Sequence, residues 1–249
     1  MIVYPNAKIN LGLNILRKRE DGYHDISSVF YPVKECVDIL EIVKSEKFEF
    51  TKSGIEIPDG ENICEKAWRL LDADFGIRNV KIHLHKQIAI GAGLGGGSAD
   101  ASFTLKVLDD LFDLNLSDTE LEKYALKLGA DCPFFIENKP KLVEGIGEKM
   151  TFVDLDLSDY EIRLVNPDIH ISTKEAFSWV VPETTEQDIE QIIQLPIKEW
   201  KNKLKNDFEK SVFIKYPELI NLKDKLYKEG AIYASMSGSG SVVFGVFEK

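Results

Sequence analysis

Ile88-Ala-Ile-Gly91-Ala-Gly93-Leu-Gly95-Gly96-Gly97-Ser98-Ala-Asp100-Ala-Ser102 decides how this chain is read. Five of its fifteen residues are glycine, and they stand together. An alternating run, Val80-Lys-Ile-His-Leu-His-Lys-Gln-Ile88, leads into them, and a helical pattern from Ala101 to Phe112 leads out. Glycines between a strand and a helix let backbone N–H groups approach a ligand with no Cβ in the way. The helix N-terminus adds partial positive charge, and the combination suits phosphate. The alternative is a turn that merely lets strand and helix pack closely, but five glycines cost more backbone entropy than a plain turn requires.

Other phosphate-binding patterns fit less well. Gly91-x-Gly93-x-x-Gly96 satisfies the dinucleotide pattern, but it lies mid-chain. The acids after it, Asp109, Asp110 and Asp113, fall within or just after the helix instead of ending a second strand. No Lys-Ser or Lys-Thr follows the glycines, which excludes a P-loop. His-Arg-Asp is absent, and Asp74-Phe75-Gly76, at the end of a helical stretch and without that catalytic loop, does not make the protein-kinase set.

The 249 residues are 44% hydrophobic and 29% charged, enough for a large core or two small ones. A net charge of −11 argues against a nucleic-acid partner, and an anionic substrate would need local positive groups. Cys36, Cys64 and Cys132 are spaced too widely for a disulfide framework or a zinc cluster, so a reducing cytoplasm is expected. The opening Met1-Ile-Val-Tyr-Pro-Asn6 is no signal or transit peptide, and no apolar run approaches the ~20 residues of a membrane span.

Residues 7–15 alternate, with Ala7, Ile9, Leu11, Leu13 and Ile15 on one face and Lys8, Asn10, Gly12 and Asn14 on the other. They read as a half-buried strand. Strands are expected over 26–33, 38–43, 47–51, 55–57 and 80–90. Helices are expected over 62–74, where Asn62 and Glu65 have capping spacing, over 99–112, and from Ser117-Asp-Thr-Glu120 to Leu128. Gly129-Ala-Asp131-Cys-Pro133 ends the last of these, and the proline biases Cys132 to extended geometry. Strands 134–136, 141–144 and 149–153 follow, with a domain boundary near 155 and another strand over 160–165. Residues 183–210 read as helical and exposed, and 217–229 as a helix. Ser237-Gly-Ser-Gly240-Ser241 is a glycine turn between strands 231–236 and 242–247. His83 and His85 share a face with Lys81 and read as solvated sheet residues rather than metal ligands.

Lys8 and Asn10, the glycine loop, Asp131 and the second glycine turn together resemble the GHMP kinase superfamily. Pro5-Asn-Ala-Lys8-Ile-Asn10-Leu, Asp21-Gly-Tyr23-His24, the loop, Gly129-Ala-Asp131-Cys-Pro133-Phe and Glu144-Gly-Ile-Gly147-Glu are similar to motifs of its 4-diphosphocytidyl-2-C-methyl-D-erythritol kinase family. The resemblance runs over essentially the whole chain. It implies an α/β (α+β) fold of two domains with the site in the cleft between them. An ATP-binding domain of the ribosomal-protein-S5-domain-2 type would span 1–155, and a ferredoxin-like domain 156–249.

The implied reaction is ATP-dependent phosphorylation of the 2-hydroxyl of the cytidyl-tagged alcohol, with Mg²⁺ on the ATP phosphates. By position, Asp131 matches the catalytic base and Lys8 its partner. A carboxylate can accept the hydroxyl proton, and a lysine can keep it ionised and orient the alcohol. Residues 89–99, namely Ala89, Ile90, Gly91, Ala92, Gly93, Leu94, Gly95, Gly96, Gly97, Ser98 and Ala99, match the ATP loop. Tyr23, His24 and Phe177 match the cytidine pocket, and Asn10 a substrate contact. Asn62 matches a position near adenine, with a helix cap an equally good explanation. Ala89, Ala99 and Ser241 depart from the family's usual proline, serine and proline. Two rivals are another GHMP kinase acting on a different small alcohol and a non-catalytic nucleotide-binding relative. Tyr23-His24 weighs against the first, and intact Lys8 and Asp131 against the second.

Overall fold

A computed structural model describes residues 1–182 and 188–249. In chain order, strands β1 (Ile2–Val3), β2 (Asn6–Lys18), β3 (His24–Val37), β4 (Ile39–Lys44) and β5 (Glu49–Gly54) precede helix α1 (Ile63–Phe75). Strand β6 (Val80–Lys86) is followed by α2 (Gly96–Phe112), α3 (Asp118–Leu128) and α4 (Phe134–Glu137). Then come β7 (Lys141–Gly145), β8 (Lys149–Phe152), β9 (Tyr160–Val165), α5 (Thr173–Trp179), α6 (Ile189–Ile193), a 3₁₀ turn (Ile197–Asn202), α7 (Phe208–Lys215), α8 (Glu218–Lys228), β10 (Tyr233–Met236) and β11 (Val243–Glu248).

The chain forms two compact units that are not consecutive segments. One comprises Met1–Ala7, Pro32–Ile90 and Gly95–Lys139; the other comprises Lys8–Tyr31, Gly91–Leu94 and Pro140–Lys249. Residue 155 lies inside the second unit.

The first unit holds the sheet β1-β4-β6-β5. The apolar residues of β4 and β6 (Leu40, Ile42, Ile82, Leu84) meet Ala67 and Leu71 of α1, Leu105 and Leu108 of α2, and Leu121 of α3 in one core. Period 2 on the strands and period 3.6 on the helices thus converge on the same interior. Both expected helix starts are capping boxes: Asn62 with Glu65, and Ser117 with Glu120. His83 and His85 sit half-buried on β6 and hydrogen-bond Thr51 and Ser53 of β5.

The second unit holds the antiparallel sheet β10-β11-β9 and most of the sheet β2-β3-β7-β8. Leu13, Ile15, Phe208, Val212, Leu226, Met236, Val243 and Phe247 share its core.

Several sequence expectations change. β2 is buried on both faces, with Lys8 at 3% exposure and Asn10 at 1%; alternation reports that two faces differ in polarity, not that one is wet. Ile55 to Ile57 form no strand: Gly54, at φ +83, ends β5, and Ile55 is exposed. Residues 134–136 are helical, because Pro133 sits at αR angles at the helix start and Cys132 joins the preceding turn instead of extending. β6 stops at Lys86, where the Asp38 carboxylate takes the N–H groups of Gln87 and Ile88. In the stretch 183–210, residues 183–187 lie outside the described ones. The remainder is largely helical, and it is exposed on one face only, since Ile189, Ile193, Trp200 and Phe208 are buried. Its polar composition hides an apolar face.

Candidate active site

Within the first unit the glycine loop ends in the N-terminus of α2. Gly95 caps the helix in the left-handed region at φ 69, without a side-chain hydrogen bond, and no acid occupies the first turn. The leading N–H groups of a helix have no intrahelical acceptor, so this end is an electropositive donor set. A Cβ on Gly97 would meet nothing within 4 Å, so the backbone there faces open space. Asp131 sits half-buried in the turn between α3 and α4. That turn is tied to α2: Ser102 Oγ donates to the Cys132 carbonyl at 2.7 Å. Burial pushes the Cys132 thiol up to about 12, which leaves it an inert packing group. Ala99 is fully buried, so the departure from serine places a methyl in the core. Asn62 is a helix cap, accepting from the Cys64 N–H at 2.9 Å.

Within the second unit Lys8 and Asn10 share one face of β2. Lys8 Nζ donates to Asn10 Oδ1 at 2.6 Å and lies 4.2 Å from the centroid of the Phe30 ring. Asn10 Nδ2 donates to Ser28 Oγ at 2.9 Å, which in turn donates to the Gly12 carbonyl at 2.6 Å. The same strand is pinned to the first half of the loop. The Lys8 N–H donates to the Leu94 carbonyl at 2.9 Å. The Asn10 N–H donates to Ser237 Oγ at 3.3 Å, and Ser237 Oγ donates to the Gly93 carbonyl at 2.8 Å. Gly93 is required by this packing, since at φ +79 its Cβ would lie 2.0 Å from the Ser237 carbonyl oxygen. His170 is packed the same way against Gly91.

The turn between β2 and β3 presents Tyr23 at 60% exposure. The Arg19 N–H donates to the Tyr23 carbonyl at 2.8 Å, and the Tyr23 N–H to Asp21 Oδ1 at 3.1 Å, closing that turn. His24 stacks on Phe177, with centroids 4.8 Å apart and planes 15° from parallel. Phe177 in turn meets the edge of Phe208. Burial, with Lys18 nearby, holds the His24 imidazole below its ordinary range, so near pH 7 it is neutral and able to both donate and accept.

The structure thus joins Lys8 and Asn10 to loop residues 93 and 94, joins His24 to Phe177, and joins Asp131's turn to Ser102. Ser237 as the link between strand and loop, and His170 beside Gly91, were not read from the sequence. Ser237 had a signal, its place in the second glycine turn; His170 had none.

Comparison with known proteins matches two family models: GHMP kinases N terminal domain over residues 62–139, and GHMP kinases C terminal over residues 188–249. A relative from Bacteroides fragilis, named 4-diphosphocytidyl-2-C-methyl-D-erythritol kinase, is 53% identical over 99% of this chain and 92% of its own length. One of the same name from Thermoanaerobacter pseudethanolicus is 40% identical over 97% and 86%. The crystal structure of a 4-(cytidine 5'-diphospho)-2C-methyl-D-erythritol kinase superposes with a TM-score of 0.86 at 31% identity, covering 99% of this chain and 90% of that one. A homoserine kinase from Cytophaga hutchinsonii superposes at 0.76 with 14% identity over 98% and 85%, a likeness of fold alone.

Proposed function

The chain belongs to the 4-diphosphocytidyl-2-C-methyl-D-erythritol kinases of the GHMP kinase superfamily, and from that premise we propose the reaction and the residues that carry it. The enzyme moves the γ-phosphoryl group of ATP to the 2-hydroxyl of 4-diphosphocytidyl-2-C-methyl-D-erythritol, releasing ADP, a step in isoprenoid precursor synthesis. Phosphoryl transfer asks a protein mainly for in-line positioning and for stabilisation of spreading negative charge. The bare N-terminus of α2 at Gly96, Gly97 and Ser98 is the donor set for ATP phosphates. Asp131 accepts the proton of the attacking hydroxyl, and Lys8 orients the alcohol and offsets charge on the group in transit. Asn10 holds the substrate beside Lys8. Tyr23 and Phe177 offer aromatic faces to the cytosine, and neutral His24 hydrogen-bonds its edge.

One observation carries this reading. Lys8 and Asn10 hang on the same short hydrogen-bond chain as Gly93 and Leu94, so the acceptor-side strand and the first half of the glycine loop are held together. Among the described residues no three His, Cys, Asp or Glu side chains cluster as a metal cage. A Mg²⁺ bound with ATP would neutralise charge on the phosphates. The three free cysteines suit a reducing cytoplasm.

The test is ADP release with three acceptors: the cytidyl diphosphate alcohol, mevalonate and homoserine. Turnover confined to the cytidyl substrate is expected. Preference for either of the others would overturn the assignment, and nucleotide binding without turnover on any of them would indicate a non-catalytic relative.

A further inference from the structure

Beneath the glycine loop, within the first unit, lies a buried ion cluster that the proposed reaction does not use. Lys86, the last residue of β6, places Nζ 2.6 Å from Asp38 Oδ2 and 2.6 Å from Asp100 Oδ2. All three side chains are buried. Asp38 precedes β4 and, through Oδ1, also accepts the N–H groups of Gln87 at 2.6 Å and Ile88 at 2.9 Å. Asp100 stands in the second turn of α2. Gly96, the first residue of α2, is packed so closely on this cluster that a Cβ there would lie 3.0 Å from Lys86 Nζ and 2.8 Å from Ile88 Cγ2. A single ammonium thus connects the strand that enters the loop, the segment before β4 and the helix that leaves the loop.

The cluster is costly as a stability device. An ammonium and two carboxyl groups are taken out of water, and Asp100 Oδ1 is buried with no hydrogen-bond partner among the described residues. Apolar residues could fill this space without an orphaned oxygen. What the ions supply is direction: each bond fixes one backbone segment at one angle to the next.

We propose that Asp38, Lys86 and Asp100 act as a positioning triad, setting the angle at which the N-terminus of α2 meets the phosphates of ATP. The proposal rests on the reading that this helix end receives those phosphates.

The triad also couples the loop to pH. Burial pulls Lys86 down, but the two carboxylates more than offset it, so its ammonium is held above the ordinary range. Burial pushes Asp100 up to about 8, with Lys86 opposing and Asp38 reinforcing. Two thiols also face the cluster, Cys64 of α1 and Cys36 of β3, and burial raises both and keeps them neutral. Thr104 adds a hydroxyl, donated to the Asp100 carbonyl. Near pH 7 Asp100 therefore carries a proton in the folded chain, and its ionisation above pH 8 adds a negative charge beside the phosphate-binding helix end. Anion affinity then falls as pH rises. Stability moves with it: a carboxyl whose pKa is raised on folding contributes fully below its unfolded value of about 4, and loses that contribution as pH rises through about 8.

The deciding experiment measures ADP affinity by calorimetry at pH 7.5 and 9, with KM for ATP and for the cytidyl substrate, in the wild type and in Asp100→Asn. Asparagine keeps an acceptor toward Lys86 and cannot titrate. The wild type is expected to bind ADP roughly three- to tenfold more weakly at pH 9, and the variant to show no such change. The variant should also shift KM for ATP while KM for the cytidyl substrate stays within a factor of two. A pH-independent wild-type affinity would overturn the proposal even if the variant failed to fold. So would a variant that loses only thermal stability and leaves KM for ATP and its pH profile as in the wild type, which would make the triad structural. Failure of the wild type to bind ADP at pH 7.5 would instead refute the underlying reading of the loop.

Discussion

Two glycine-rich turns in this chain look alike in sequence and serve opposite ends. In Ser237-Gly-Ser-Gly240-Ser241 every residue is buried, and the missing side chains make room for protein: Gly238 faces Asn10 and Gly93, and Gly240 faces Met236 and Ile171. The loop 91–97 is divided. Its first half behaves like the second turn, with Gly91 against His170 and Gly93 against the Ser237 carbonyl. Its second half ends at Gly97, where a Cβ would meet nothing. The number of glycines therefore does not identify a ligand site. What lies over the absent Cβ does: protein marks a brace, and open space beside unsatisfied N–H groups marks a place for an anion.

Substitutions can break or sharpen that contrast. The largest effect is expected from Asp131→Asn, on the ligand side, where losing a proton acceptor should lower kcat by about 10²- to 10⁴-fold with Tm and ATP affinity unchanged. Near-normal turnover would remove Asp131 from the chemistry. Gly93→Ala is the mirror case. It forces both a left-handed alanine and a clash with backbone, and should destabilise the fold by about 3 kcal/mol or more, read as a fall in the denaturation midpoint. A stable Gly93→Ala would mean the brace is soft. Tyr23→Ala removes an exposed ring that the fold does not need, so stability should hold. KM for the cytidyl substrate should rise by the equivalent of about 1–3 kcal/mol of stacking, with ATP KM little altered; equal shifts in both would contradict base stacking. The smallest stability effect belongs to Gly97→Ala. With room for a methyl and a helical backbone, it should gain up to about 1 kcal/mol while ATP KM rises. If it instead unfolds like Gly93→Ala, the distinction between the two halves of the loop is gone.

Much of the fold was legible because local rules decide it. The capping boxes at Asn62 and Ser117 start helices at the residues read from sequence, and Tyr160–Val165 is a strand over the expected span. Failures came where a side chain distant in sequence overruled the local pattern. Asp38 takes the N–H groups that would have carried β6 past Lys86. Residues 134–136 look like an apolar strand yet begin a helix, because three or four apolar residues carry no period.

The sequence by itself determined the glycine spacing of the loop, the family, and the residue types at 8, 10, 23, 24 and 131. These follow from short-range chemistry: glycine geometry, capping, alternation and motif spacing. Only the tertiary structure decided which residues act as one piece. Lys8 and Gly93 are joined through Asn10 and Ser237, Lys86 through two carboxylates separated by most of a domain, and His24 to Phe177. A hydrogen bond depends on distance in space rather than along the chain, and burial, which gives these links their rigidity and shifts Asp100, exists only once the interior has formed.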